Sequence, residues 1–228
     1  MIYETPSWLL AFSVGKGVHG TEPGVDAREV GVQGETLAIS SGHIMIPRQT
    51  HSTNVRWVNT AGEVPDTDAV ITEEKGLCIA VKTADCIPIL IYDVRKPLIA
   101  AVHAGWRGTV GRIIEKTLQQ MKCKAEDLHA IIGPGISLDS FEVGDEVHEQ
   151  FSQSGFPMQH VARKYPGREG EKWHIDLKKA NRWLLERNGI EHIYVSEVDT
   201  LTSRLYYSAR RETINTGRNI NGIMIIEN

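Results

Sequence analysis

Between residues 69 and 103 the chain carries four short apolar runs, at 69–72, 77–82, 87–92 and 99–103, and they leave little room for anything but a central sheet. Each run is shorter than the ~10 residues of an ordinary helix and is rich in Val, Ile and Thr. The gaps between them are too short to hold crossover helices. Their near-continuous apolar character, without polar alternation, predicts strands covered on both faces.

Other short strands are predicted at 9–13, 36–39, 44–47, 55–59, 128–132, 193–198 and 220–226. Ile113, Ile114, Thr117, Leu118 and Met121 stand at helical spacing and predict a helix over 113–121. Val143, Val147 and Phe151 recur every four residues, predicting a helix over 141–151. Leu177, Ala180, Leu184 and Leu185 predict another over 176–188, with Gly189 at its stop. Segments 15–34 and 153–170, rich in glycine, charge and turn formers, read as loops. Strands and helices interleave, yet several middle strands follow one another directly. The expected architecture is α/β, a mixed sheet with helices packed outside it. No linker or repeat divides the chain, so one domain over 1–228 is expected.

A net charge of −4 gives no general attraction to nucleic acid or to an anionic membrane. No apolar run approaches the ~20 residues of a membrane span. The three cysteines, Cys78, Cys86 and Cys123, are too few and too odd in number for a disulfide framework. The opening segment 1–6 carries an acid and a proline rather than a basic, then apolar, leader. A cytoplasmic protein with neither nucleic-acid nor membrane partners is expected.

Two motifs concentrate the chemistry. Thr83-Ala84-Asp85-Cys86 ends one apolar run, and Ala101-Val102-His103-Ala104-Gly105-Trp106-Arg107-Gly108 ends another. A thiolate and imidazoles are ligands that zinc or copper prefers. His51, upstream in Arg48-Gln49-Thr50-His51-Ser52, is the third candidate. Three ligands from separate elements leave a coordination position open, as catalytic sites do. Asp85, a charge within an apolar stretch, is costly unless paired or functional, and is a candidate proton carrier or a partner behind the metal ligands. The opposing reading makes Cys86 a small buried hydrophobe and His103 a satisfied core histidine. A third makes Cys86 a nucleophile with His103 or His51 as its base. His19 is an outside candidate.

Gly133-Pro134-Gly135-Ile136-Ser137 follows a strand and reads as either an anion cradle of free amides or a plain turn. Arg48 and Arg107 are candidates for a phosphate, whose oxygens suit a guanidinium fork. Tyr206-Tyr207-Ser208-Ala209-Arg210-Arg211 mixes aromatic and guanidinium groups, which suits a planar substrate such as a purine, with Tyr207 and Arg210 as contacts.

These motifs, with Phe12-Ser13, Thr67-Asp68-Ala69, Phe141-Glu142-Val143-Gly144, Asp176-Leu177, Ala180-Asn181 and Thr216-Gly217-Arg218, resemble the YfiH-like family. That family is also called the laccase-domain or multicopper-polyphenol-oxidase-like family. The resemblance covers almost the whole chain and implies a single-domain α/β sandwich with mixed sheets. It implies a zinc site at His51, Cys86 and His103, copper being the alternative metal. It further implies purine nucleoside phosphorolysis, on adenosine, inosine, guanosine and S-methyl-5'-thioadenosine, with some adenosine deamination. Copper-dependent polyphenol oxidation and peptidoglycan-precursor editing, the latter with Cys86 as nucleophile, are the alternatives. Nine singly scattered histidines make a poor multicopper centre. Where the family carries Cys-Thr before its late aromatic motif, this chain has Asp199-Thr200.

Overall fold

A computed structural model describes residues 1–17, 39, 41–167 and 170–226. In chain order the strands and helices are β1 (Leu9–Val14), β2 (Ile44–Met45), β3 (Val55–Trp57), β4 (Ala69–Thr72), β5 (Cys78–Thr83), β6 (Ile87–Asp93), β7 (Ile99–Ala104), α1 (Trp106–Val110), α2 (Ile113–Met121), β8 (Leu128–Ile132), β9 (Glu142–Val143), α3 (Asp145–Gln153), α4 (Met158–Val161), β10 (Ala162–Gly167), β11 (Gly170–Ile175), α5 (Leu177–Arg187), β12 (His192–Val195) and β13 (Asn219–Ile225).

Two mixed sheets form the sandwich. One has the order β1-β13-β5-β2, the other β12-β8-β6-β7-β4-β3. In the larger sheet β12/β8 and β3/β4 are parallel and the inner pairs antiparallel. Alternation along the inner strands explains their continuous apolar sequence. Ile87, Ile89 and Ile91 of β6, with Ala100 and Val102 of β7, face a layer built by Ile113, Phe151, Leu177 and Leu184 of the helices. Leu90, Tyr92, Ile99 and Ala101 point the other way, onto Ile79, Val81 and Ile223 of the smaller sheet. Each such fully buried Ile or Leu contributes roughly 1.5–3 kcal/mol through the water it sheds.

His103 continues the face of Ile99 and Ala101 at the end of β7, so it falls at one rim of the inter-sheet layer. A buried polar chain lies across the smaller sheet. Tyr3 Oη shares a hydrogen bond of 2.7 Å with Ser13 Oγ, which donates to Asn221 Oδ1 at 2.6 Å, and Asn221 Nδ2 donates to Thr83 Oγ1 at 3.1 Å. Each buried polar side chain in this row has a partner, as burial demands.

The expected strands and helices of the core are present. The helix expected over 141–151 starts later, at Asp145, because Glu142 and Val143 pair with β11 instead. The stretch read as a loop over 153–170 holds α4 and β10, and β10 pairs with β11 to form a third, three-stranded sheet with β9. Its residues are mostly exposed, so no apolar period marked it. His19 and most of the strand expected at 36–39 lie outside the described residues. No helix among the described residues is long and apolar enough to cross a membrane.

Candidate metal centre

Two loops and the end of β7, at the same rim of the sandwich, bring His51, Cys86 and His103 together. One ligand atom from each lies within 4.8 Å of the others, the only such group of three His, Cys, Asp or Glu residues among the described residues. Cys86 sits in the turn from β5 to β6, beside β7, whose register pairs Ile87 with Ala104 and Pro88 with His103. His51 comes from the loop before β3, and its ring meets that of His103 edge-on, with centroids 4.9 Å apart. Cys86 Sγ is 3.8 Å from His51 Nε2. Ligands about 2.0–2.3 Å from a tetrahedral zinc stand roughly 3.5 Å from one another, so the donors are spaced for one ion.

The surroundings fit such an ion. His103 Nδ1–H donates to Asp68 Oδ1 at 2.7 Å, which leaves Nε2 as its free ring nitrogen. Gly105 completes the cradle: a Cβ there would lie 3.0 Å from Cys86 Sγ and 3.1 Å from His51 Cδ2. The soft thiolate and two imidazoles suit zinc or copper.

One ligand, and the residue preceding another, stand at strained backbone. His51 has φ +60°, and Asp85, next to Cys86, has φ +90°. A carboxylate pins each conformation. Asp68, fully buried, accepts the amides of Thr50, His51 and Ser52 at 3.1, 3.1 and 2.7 Å, and the Ser52 hydroxyl at 2.7 Å. Asp85 Oδ1 accepts the Thr200 hydroxyl at 2.7 Å and Oδ2 the Arg210 amide at 2.8 Å.

Charge follows this wiring. Burial raises the Cys86 thiol, but the charge and hydrogen bonds of His103 and His51 outweigh it and bring the thiol down to about 6. Burial lowers His103, and the Cys86 thiolate and Asp68 overcome it, taking the imidazole to about 9. Burial raises Asp68, and its bonds to His103, Ser52 and Thr50 hold it at about 2. The thiol is therefore poised to ligate as thiolate, and a metal bound here would take the place of the proton on His103 Nε2.

The three ligands open into a cleft of about 740 Å³. Arg48, Lys82, Arg210 and Arg218 supply its cations, and Trp106, Ile136, Phe141 and Ile214 its apolar lining. Arg210 donates to the Glu142 carbonyl and lies 5.6 Å over the Phe141 ring. Arg218 binds the carbonyls of Ile214, Thr216 and Gly217. The charged ends of Arg48 and Lys82 have no protein partner among the described residues. Gln49 locks the two together, its amide donating to the Lys82 carbonyl at 2.7 Å and accepting the Lys82 N–H at 2.8 Å.

The sequence candidates divide accordingly. His51, Cys86, His103, Asp85, Arg48 and Arg210 all line the cleft. Both carboxylate oxygens of Asp85 are engaged by protein donors, and through them it ties the Thr200 and Arg210 segments to the Cys86 turn. Arg107 is exposed, stacks 4.3 Å over Trp106 and does not line the cleft. Tyr207 is buried, its ring under Lys16, and lies outside the lining as well. The turn after β8 is no anion cradle. Gly133 N–H donates to the Pro88 carbonyl, Gly135 N–H to that of Val198, Ile136 N–H to that of Asp85, and Ser137 N–H to Asp199 Oδ1. Asp199 also accepts the hydroxyls of Ser137 and Ser140, so it staples this turn. Sequence reasoning assigned no role to Lys82, and it met Asp68 and Arg218 only as members of the quoted motifs. Asp68 carries the signal that marked Asp85, an acid opening the apolar run of β4.

Known proteins share this chain's pattern. A purine nucleoside phosphorylase of Bacteroides thetaiotaomicron is 41% identical over 199 residues, 80% of this chain and 73% of that protein. The adenosine deaminase RL5, from an unknown prokaryotic organism, is 36% identical over 204 residues, 82% of this chain and 77% of its own. The crystal structure of protein NMB0706 from Neisseria meningitidis superposes with a TM-score of 0.79 at 27% identity, covering 100% of this chain and 99% of that one. YfiH of Bacillus licheniformis gives 0.79 at 25% identity, over 96% and 94%. A family model described as multi-copper polyphenol oxidoreductase laccase matches residues 13–226, and the chain belongs to that family.

Proposed function

We propose that this chain is a zinc-dependent purine nucleoside phosphorylase, acting on adenosine, inosine, guanosine and S-methyl-5'-thioadenosine, with adenosine deamination as a side reaction. The observation that carries the reading is the meeting of three metal-ligating side chains with two cations that have no partner among the described residues, in one cleft. The relatives named as phosphorylase and deaminase support it.

In phosphorolysis a phosphate oxygen bonds to C1′ of the ribose as the C1′–N9 bond breaks, and the base leaves with the electron pair. Arg48 and Lys82 hold the phosphate, the guanidinium as a fork and the ammonium as a point charge. Gln49 keeps their two backbones in register, so the anion meets both at a fixed separation. Phe141 and Ile214 offer the apolar surface a purine requires. Asp85 holds the Arg210 segment against the Cys86 turn and so keeps the cleft's wall in place. His51, Cys86 and His103 hold the metal, which when bound supplies a Lewis acid beside the reacting groups.

Zinc-loaded protein given adenosine and phosphate should yield adenine and ribose 1-phosphate, with some inosine, by chromatography. A zinc-loaded sample producing none of the three overturns the reading. The lowered Cys86 thiol beside His103 favours one second reading, in which the metal-free thiolate attacks an amide carbon of a peptidoglycan precursor, the C–N bond breaks as His103 protonates the leaving amine, and water hydrolyses the thioester to free the thiolate. That reading requires hydrolysis that zinc suppresses rather than supports.

A further inference from the structure

The geometry points to Asp68 as the positioning residue for the whole centre: a single carboxylate oxygen sets the distance between the two imidazoles. The inference rests on the metal reading of the site. Asp68 Oδ1 accepts the backbone amide of His51 at 3.1 Å and the ring Nδ1–H of His103 at 2.7 Å. One atom thus ties the main chain that carries one ligand to the ring of the other. Oδ2 accepts Thr50 N, Ser52 N and Ser52 Oγ, so three consecutive amides wrap the carboxylate. That wrapping places His51 at φ +60°, a conformation a histidine does not keep unaided. Asp68 is itself fixed in the sheet, because its carbonyl accepts the His103 amide at 2.7 Å and its side chain is fully buried. It touches neither the cleft nor any reacting atom, and it acts through both histidines.

Asp68→Asn keeps one carbonyl oxygen and turns an amide group toward amide donors, so one half of the clamp must open. Zinc affinity, measured by competition with a chelator, should fall about 10- to 100-fold in this variant. The visible spectrum of the cobalt-substituted protein should change with it. Ser52→Ala removes one donor to Oδ2 and leaves Oδ1 alone, and should bind zinc within about threefold of wild type. The wild type supplies an independent readout: nitrogen-detected NMR of the zinc form should show His103 protonated at Nδ1 and bonded to metal through Nε2. Folded Asp68→Asn protein with wild-type affinity and cobalt spectrum, or a His103 that ligates through Nδ1, overturns the inference while leaving the metal reading intact. Wild-type protein that takes up no zinc overturns both.

Discussion

Gly105→Ala offers the most direct test of how tightly the centre is packed. The backbone there is extended, at φ −69° and ψ 173°, so alanine adds no conformational strain. Only the new methyl matters. It would lie 3.0 Å from Cys86 Sγ and 3.1 Å from His51 Cδ2, where unstrained carbon contacts run to about 3.5–4.0 Å. Both side chains must yield by roughly half an ångström, and in each case that moves a donor atom. Overpacking of this kind costs about 1–3 kcal/mol. When the metal is absent Cys86 can turn away and relieve the clash, so the cost falls on the bound state. At about 1.4 kcal/mol per decade, zinc binding should weaken by about 5- to 150-fold. Chelator competition measures the constant, and melting of the metal-free variant, expected near wild type, shows that the fold is intact. A variant that melts normally and binds zinc as tightly as wild type would refute the packing argument.

In metal-free protein, iodoacetamide should label Cys86 with a midpoint near pH 6, fast above it and slow below, while zinc protects it; burial raises both Cys78 and Cys123 to about 12 and leaves them unlabelled in mass spectra. Arg48→Ala and Lys82→Ala should each raise KM for phosphate by about tenfold or more with little change in KM for adenosine, and equal effects on both would argue against an anion site there. Burial raises the Glu212 carboxyl, yet Lys16, Thr216 and Arg211 hold it at about 2 against an ordinary 4.5. Its stabilisation is therefore complete above about pH 4.5 and fades toward pH 2; exposure limits it to about 1 kcal/mol, so Glu212→Gln should lower the melting temperature slightly at pH 7 and not at pH 2.

The sandwich was legible because its inner strands are buried on both sides, which removes polar residues from the sequence. The exposed hairpin of β10 and β11 carries no such mark, for Arg163, Lys164 and Glu171 face water. Among the ligands, Cys86 and His103 announced themselves as reactive groups at the ends of apolar runs. Asp68 did so equally, but its work is done through hydrogen bonds to loop amides, which leave no trace in residue type. Tyr207 and Arg107 fall outside the cleft lining for the converse reason: aromatic and guanidinium groups recognise ligands, yet they also fill a protein's own gaps. Here Tyr207 is buried beneath Lys16, and Arg107 covers Trp106.

The pairing of Pro88 with His103 gives the centre two kinds of support. Cys86 and His103 sit at the mouths of adjacent strands, and sliding β7 by one residue would turn the imidazole toward the helices and away from the sulfur. Those two donors inherit the stiffness of a central sheet. His51 stands instead on a loop, whose amides reach Asp68 and whose Gln49 bonds to Lys82. A bound ion would therefore have its more yielding wall at His51, where hydrogen bonds rather than strand pairing fix the ligand.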